Sequence, residues 1–176
     1  MWEKGELGSS TPTKLIQTLF YLNGLHFGIR GGAEHHNLCI DHFEIEIFNG
    51  IECLVYKEKS TKTYKGGMEQ RKLSPKVKRY FENTDLPKEK CHIKLFKMFI
   101  EHRPPTTENL YLQSKKDGTS QDAWYTTRPI GINTLQKMLK RMFVNAGLSN
   151  DVTNRSLRAT LATPRAFTTK AWMNRS

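Results

Sequence analysis

A chain of 176 residues, 37% hydrophobic and 26% charged, is enough for one ordinary domain with its own core. No apolar run approaches a membrane span, and the opening stretch "MWEKGELGSS" lacks the apolar core of a secretory signal, so membrane and secreted readings are set aside. The 28 Lys+Arg against 17 Asp+Glu give a net charge of +11 and a pI near 9.7, which suits an acidic partner, most often nucleic acid, over a merely basic surface.

Thr11 followed by Pro12 predicts a helix start, a capping residue and then proline in the first turn. Leu15, Leu19 and Leu22, flanked by Ile16 and Phe20, keep a helical period and read as a core face. The helix closes at "HFGIRGG", where Gly28, Gly31 and Gly32 let the backbone turn, and a short helix follows over "AEHHNL". "FEIEIFNGIECLVY" carries two alternating runs around Asn49-Gly50, the preferred pair of a type I′ hairpin. A basic loop, "KEKSTKTYKGG", leads to "MEQRKL" as a third strand, and "SPKVKRYFENTDLPKEK" reads as surface.

A second long helix is expected over "HIKLFKMFIEH", with Ile93, Phe96 and Ile100 as its apolar face and Pro104-Pro105 as its stop. "NLYLQ" reads as a short strand, and "SKKDGTSQDAWYTTRPIG" as a loop anchored by Trp124-Tyr125. Asn133 is expected to cap a third helix whose buried stripe is Leu135, Leu139, Met142, Phe143 and Ala146, ended by Gly147. A last helix covers "TNRSLRAT", capped by Thr153 or Asn154 and broken at Pro164. It carries Arg155 and Arg158 one turn apart on one face. The fold class expected is α+β, mainly helical with a small antiparallel sheet.

The three cysteines, Cys39, Cys53 and Cys91, are sparse and irregular, which fits a reducing compartment without disulfides. His35-His36 near Cys39, and Cys91-His92, invite a zinc reading, but no C-x2-C or H-x3-H spacing supports it. They read as buried thiols and helix-surface histidines, with no metal and no cofactor expected.

Three basic residues stand apart. Arg30 sits in the glycine-rich turn, Lys62 after the hairpin in "STKT", and Arg158 on the last helix. Two arginines can clamp the non-bridging oxygens of one phosphate, and a hairpin lysine can donate a proton to a leaving oxygen. In order, "GLHFGIRGGAEHHNL", "STKTYKGG" and "TNRSLRAT", with "WYTTRPIGINTLQKMLKRM" between the last two, resemble the tyrosine recombinases of the phage integrase class. The similarity is to the crypton-derived domain of MYM-type zinc-finger proteins, and it runs from about Thr11 to Thr163.

The resemblance implies a recombinase-like catalytic domain over 11–163, with 1–10 an N-terminal extension and 164–176 an unrelated, disordered tail. It implies that Arg30 is the first catalytic arginine, Glu34 the acidic residue after it, Lys62 the general acid and Arg158 the second arginine. Lys65 joins Arg30, Lys62 and Arg158 in contacting DNA phosphates. Arg155 stands where the family has histidine, and an arginine cannot exchange a proton near neutral pH. The family's tyrosine nucleophile follows the second arginine, whereas all six tyrosines here precede Arg158. The domain is therefore expected to be truncated at its C-terminus and vestigial. The expected function is binding of DNA in the nucleus, with little sequence preference and no strand cleavage. Two alternatives stand beside it. One is a protein-interaction module of a nuclear, transcription-related protein; the other is a fragment of an active transposon recombinase. Oligomeric state is not readable, and Lys62 is also readable as one solvated lysine among many.

Overall fold

Thr11 opens the first helix, α1 (Pro12–Phe27): its side chain accepts from the Lys14 N–H at 3.2 Å, and Pro12 lies in the first turn. The computed structural model describes residues 1–58, 76–115, 124–148, 151–153 and 157. Leu15, Ile16, Leu19, Phe20 and Leu22 are all buried, as the periodicity predicts. Burial of side chains of this size stabilises by about 1.5–3 kcal/mol each. Gly28 ends α1 at φ 64°, a left-handed conformation that costs glycine nothing. A short helix α2 (Gly31–His36) follows.

Strands β1 (Phe43–Phe48) and β2 (Ile51–Lys57) form the expected hairpin, with Phe48 opposite Ile51. Asn49 and Gly50 both hold positive φ, 51° and 79°, as a type I′ turn requires. The third strand of this sheet is β3 (Val77–Phe81), antiparallel to β2, in the order β1-β2-β3. That corrects the reading of "VKRYF" as surface; "MEQRKL" lies outside the described residues. The alternation misleads because the inward positions are Lys78 and Tyr80. The Lys78 ammonium donates to the Phe27 carbonyl, and Tyr80 stacks on His26 at 4.1 Å. The apolar Val77 and Phe81 face outward.

Helix α3 (His92–His102) has the predicted bounds but a shifted face. Leu95, Phe96 and Phe99 are buried together with Ile93, whereas Ile100 is 39% exposed. The buried positions are 92, 93, 95, 96 and 99, and Ile100 falls one residue beyond them. Strand β4 (Leu112–Ser114) pairs antiparallel with β5 (Tyr125–Pro129). The second of these lies in a stretch expected as loop. Tyr125 anchors it, buried, with its hydroxyl donating to the Pro12 carbonyl at 3.1 Å.

Helix α4 (Ile132–Asn145) starts at Gly131 rather than at Asn133. The Gly131 carbonyl accepts from Thr134 and Leu135, so Asn133 already lies inside the first turn. Leu135, Leu139, Met142 and Ala146 are buried, Met138 joins them, and Phe143 is half-buried. Gly147 follows at φ 67°.

Two histidines expected on helix surfaces, His35 and His92, are fully buried, and Cys39, expected as a buried thiol, is half-exposed; Cys53 and Cys91 are buried. One core unites the elements: α1 packs against α3, β3, β4 and α4. Residues 1–10 lie against that core, with Leu7 buried and the Gly8 N–H donating to the Thr18 hydroxyl at 2.8 Å. The fold is α+β, with four helices and two small antiparallel sheets among the described residues. None of the described helices is long and apolar enough to cross a membrane.

Candidate nucleic-acid interface

The turn between α1 and α2 decides where Arg30 points. Gly28 and Gly31 both take positive φ, and the two residues between them diverge: Ile29 is buried in the core and Arg30 is exposed. Arg30 is extended, at φ −101° and ψ 148°, as the cap of α2. Its N–H donates to the Glu34 carboxylate at 2.6 Å, which ties the turn to the helix it precedes. Glu34, the acidic residue implied by the family resemblance, thus contacts the Arg30 backbone.

Arg30 borders an open groove of about 600 Å³ between α2 and α4, lined also by Gly31, Gly32, Gln136, Lys137, Lys140, Val152 and Thr153. Three cations converge there, and none of the described lining residues carries a carboxylate. Gly32 makes the close approach possible: a β-carbon on it would stand 2.3 Å from Gln136 Cγ and 2.9 Å from the Ile132 carbonyl oxygen.

A buried polar chain holds α2 in place from beneath. Asn23 Nδ2 of α1 donates to the Tyr111 hydroxyl at 2.9 Å, and that hydroxyl lies 3.0 Å from His35 Nδ1 of α2. Asn23, Tyr111 and His35 thus share one hydroxyl inside the core. Burial lowers the His35 pKa to about 3, opposed by a hydrogen bond with the Ile29 backbone. Burial likewise raises the Tyr111 pKa, against the Asn23 hydrogen bond. Both groups are neutral near pH 7 and act as braces. His35 also packs on Phe20, ring centroids 4.1 Å apart.

Of the basic residues singled out in the sequence, Arg30 alone falls among the described residues. Lys62, Lys65, Arg155 and Arg158 lie outside them. Leu157, between the two arginines in sequence, is buried, its Cδ1 2.8 Å from where a β-carbon on Gly24 would stand. The Ile29 carbonyl oxygen is 3.7 Å from that same point. Lys137 and Lys140 escaped the sequence reading, which followed only the buried stripe of α4. Their signal was a pair of lysines three apart on the polar side of a strongly amphipathic helix.

An α+β domain with a basic groove between two helices is a common surface for anions, and similarity to other proteins narrows the class. The chain belongs to the family described as a domain of unknown function, DUF3504, whose model matches residues 1–144. Zinc finger MYM-type protein 2 of Homo sapiens is 28% identical over 162 residues, covering 82% of this chain and 12% of that protein. The Mus musculus protein of the same name matches equally. Uncharacterized protein KIAA1958 of Homo sapiens is 26% identical over 158 residues, 85% of this chain and 21% of its own length. The chain therefore spans only a small part of the curated relatives it matches. No solved structure matches it.

Proposed function

We propose that this chain is a recombinase-derived domain that binds the DNA backbone without cleaving it. The observation that carries the reading is the convergence of Arg30, Lys137 and Lys140 on one groove, from two helices far apart in sequence. Arginine forks onto phosphate oxygens, and lysines on a neighbouring helix supply charge along the same backbone. Leu157 adds support, because its side chain lies close to the Ile29 carbonyl of the turn that carries Arg30. In this reading Arg30 and Arg158 hold a phosphate, Lys62 and Lys65 extend the contact, and the crypton-like ancestry explains the order of the motifs. The domain works in the nucleus, where its DNA partner is. Phosphate contacts position a protein without reading bases, so sequence preference is slight.

Among the described tyrosines, Tyr125 is buried, hydrogen-bonded to the Pro12 carbonyl, and has its pKa raised by burial. A nucleophile must reach the phosphorus and be activated there, and Tyr125 is denied both.

The test is an anisotropy titration of a labelled duplex at two salt concentrations, with the wild type, Arg30→Ala and Lys137→Ala. Affinity is expected to fall steeply with salt, and each variant is expected to lower the slope by about one per lost phosphate contact. Binding that is absent at low salt, or flat with salt, would favour the interaction-module reading. A specific feature speaks for that second reading: Ile47 is 75% and Phe48 45% exposed at the turn end of the β1–β2 hairpin.

A further inference from the structure

Cys39, Asp41 and His42 lie together in the 3-10 turn (Ile40–His42) that joins α2 to β1. One ligand atom from each, a thiol sulfur, a carboxylate oxygen and an imidazole nitrogen, lies within 4.8 Å of the other two. We propose that this turn is a binding site for one divalent transition-metal ion of the zinc class.

The donor set selects the ion. Calcium and magnesium take oxygen ligands, whereas a thiolate with an imidazole and a carboxylate suits zinc or cobalt. A tetrahedral ion with bonds of about 2.0–2.3 Å sets its ligand atoms about 3.3–3.8 Å apart, so small side-chain rotations close the present cluster. The charges match, because a thiolate and a carboxylate together neutralise a dication. Binding releases the Cys39 thiol proton to solvent as the sulfur–metal bond forms. Three protein ligands leave the fourth tetrahedral position to water or an incoming group.

The backbone is held before any ion arrives. The Ile40 N–H donates to the Glu108 carbonyl at 2.8 Å, the Leu110 N–H donates to the Leu38 carbonyl at 2.8 Å, and Cys39 bridges to Asn109 between them. The His42 ring is also oriented. Its side chain is 13% exposed and packs edge-on to Tyr56, and its Nδ1 accepts from the Cys39 N–H at 3.3 Å. That hydrogen bond also closes the turn, so a metal taken up at Nδ1 would exchange it for a metal–nitrogen bond. The Asp41 side chain is 57% exposed, which leaves the approach open. Cys39 invites a zinc reading from sequence, but with His35-His36; Asp41 and His42 carry no such sign, because Cys-x-Asp-His matches no paired metal spacing and the donors converge only through the turn.

Cobalt(II) titration of the full chain, in a non-thiol reductant without chelator, tests the proposal. One equivalent is expected to bind, giving a near-ultraviolet thiolate-to-cobalt band that excess zinc abolishes. Cys39→Ser should remove that band, since Cys53 and Cys91 are buried in the core. Asp41→Asn should weaken binding about tenfold or more, as losses around metal sites commonly do. Melting of the metal-free Asp41→Asn variant is measured beside it, so that a folded variant with weakened cobalt binding is told apart from an unfolded one, and this control does not depend on Cys39→Ser folding. The proposal is overturned if the wild type shows no saturable band, if the band survives in Cys39→Ser, or if Asp41→Asn binds cobalt as tightly as the wild type.

Discussion

Gly32 of α2 stands against Gln136 of α4 with no room for a side chain: an added β-carbon would meet the Gln136 backbone nitrogen at 2.8 Å and the Ile132 carbonyl oxygen at 2.9 Å. Two of these obstacles are backbone, so rotating the Gln136 side chain cannot relieve them. Gly32→Ala is therefore expected to destabilise the domain by about 1–3 kcal/mol, the usual range for overpacking. It should also weaken the DNA binding proposed for the groove, because it forces apart the two helices that bring Arg30 and Lys137 together. Urea unfolding and the duplex titration measure the two effects. A variant as stable as the wild type would mean that the helices are not in register as described.

Removing the Tyr111 hydroxyl should cost more than one hydrogen bond. Tyr111→Phe leaves Asn23 Nδ2 and His35 Nδ1 without their partner in a buried site. Each unsatisfied buried group costs about 1–3 kcal/mol. Asn23 Oδ1 already lacks a partner, so the side chain has no second bond to fall back on. The loss should appear as a lower denaturation midpoint with an unchanged slope; a shift under about 0.5 kcal/mol would count against the brace.

Stability should fall with acidity well before the carboxylates titrate. His26 and His92 face each other, Nδ1 to Nδ1, at 3.0 Å, in the joint between α1, β3 and α3. Tyr80 stacks on His26, Lys78 donates to the neighbouring Phe27 carbonyl, and the Tyr80 pKa is raised by burial first, then by Cys91 and Glu82 beside it. Burial lowers the His26 pKa to about 4; burial and then the charge of His26 lower that of His92. The unfolded chain, with histidines near 6.5, binds more protons than the folded one below that pH. Stability is thus fully present above about pH 6.5 and is lost as pH falls toward the folded values. For His26 and His35 the loss at pH 5 is about 2 kcal/mol apiece, to order of magnitude. Denaturant midpoints at pH 7.5 and pH 5 measure it, and equal midpoints would rule it out.

A nicked suicide duplex that traps covalent intermediates is expected to yield no protein–DNA adduct with this chain. An adduct that survives denaturation and vanishes in Tyr125→Phe would make the chain an enzyme and reverse the functional reading. Loss of the bond to the Pro12 carbonyl costs Tyr125→Phe about 1 kcal/mol, so the variant should still fold.

The turn that carries Arg30 was legible because the glycines around it announce it. The hairpin was legible because Asn49-Gly50 leaves few other turns possible. β3 was not, since its inward residues are a lysine and a tyrosine whose partners come from α1 and α3. His35 was missed for a similar reason: its burial rests on Tyr111 and Phe20, neither of them a local neighbour. The basic groove needed α2 and α4 side by side, and nothing in either segment specifies the other until Gly32 meets Gln136.

The contact of Leu157 with Gly24 has a consequence for synthesis. α1 leaves the ribosome early, yet its surfaces are covered by chain made much later: β4, α4 and finally Leu157. Until that leucine emerges, the Gly24 side of α1 meets only His35 and the Ile29 carbonyl among the described residues, and the apolar helix has not yet gained its last contact. Contacts this distant in sequence slow folding and lengthen exposure to aggregation. Release of Leu157 from the exit tunnel thus completes this contact, and a ribosome stalled upstream of it should present a more protease-sensitive chain.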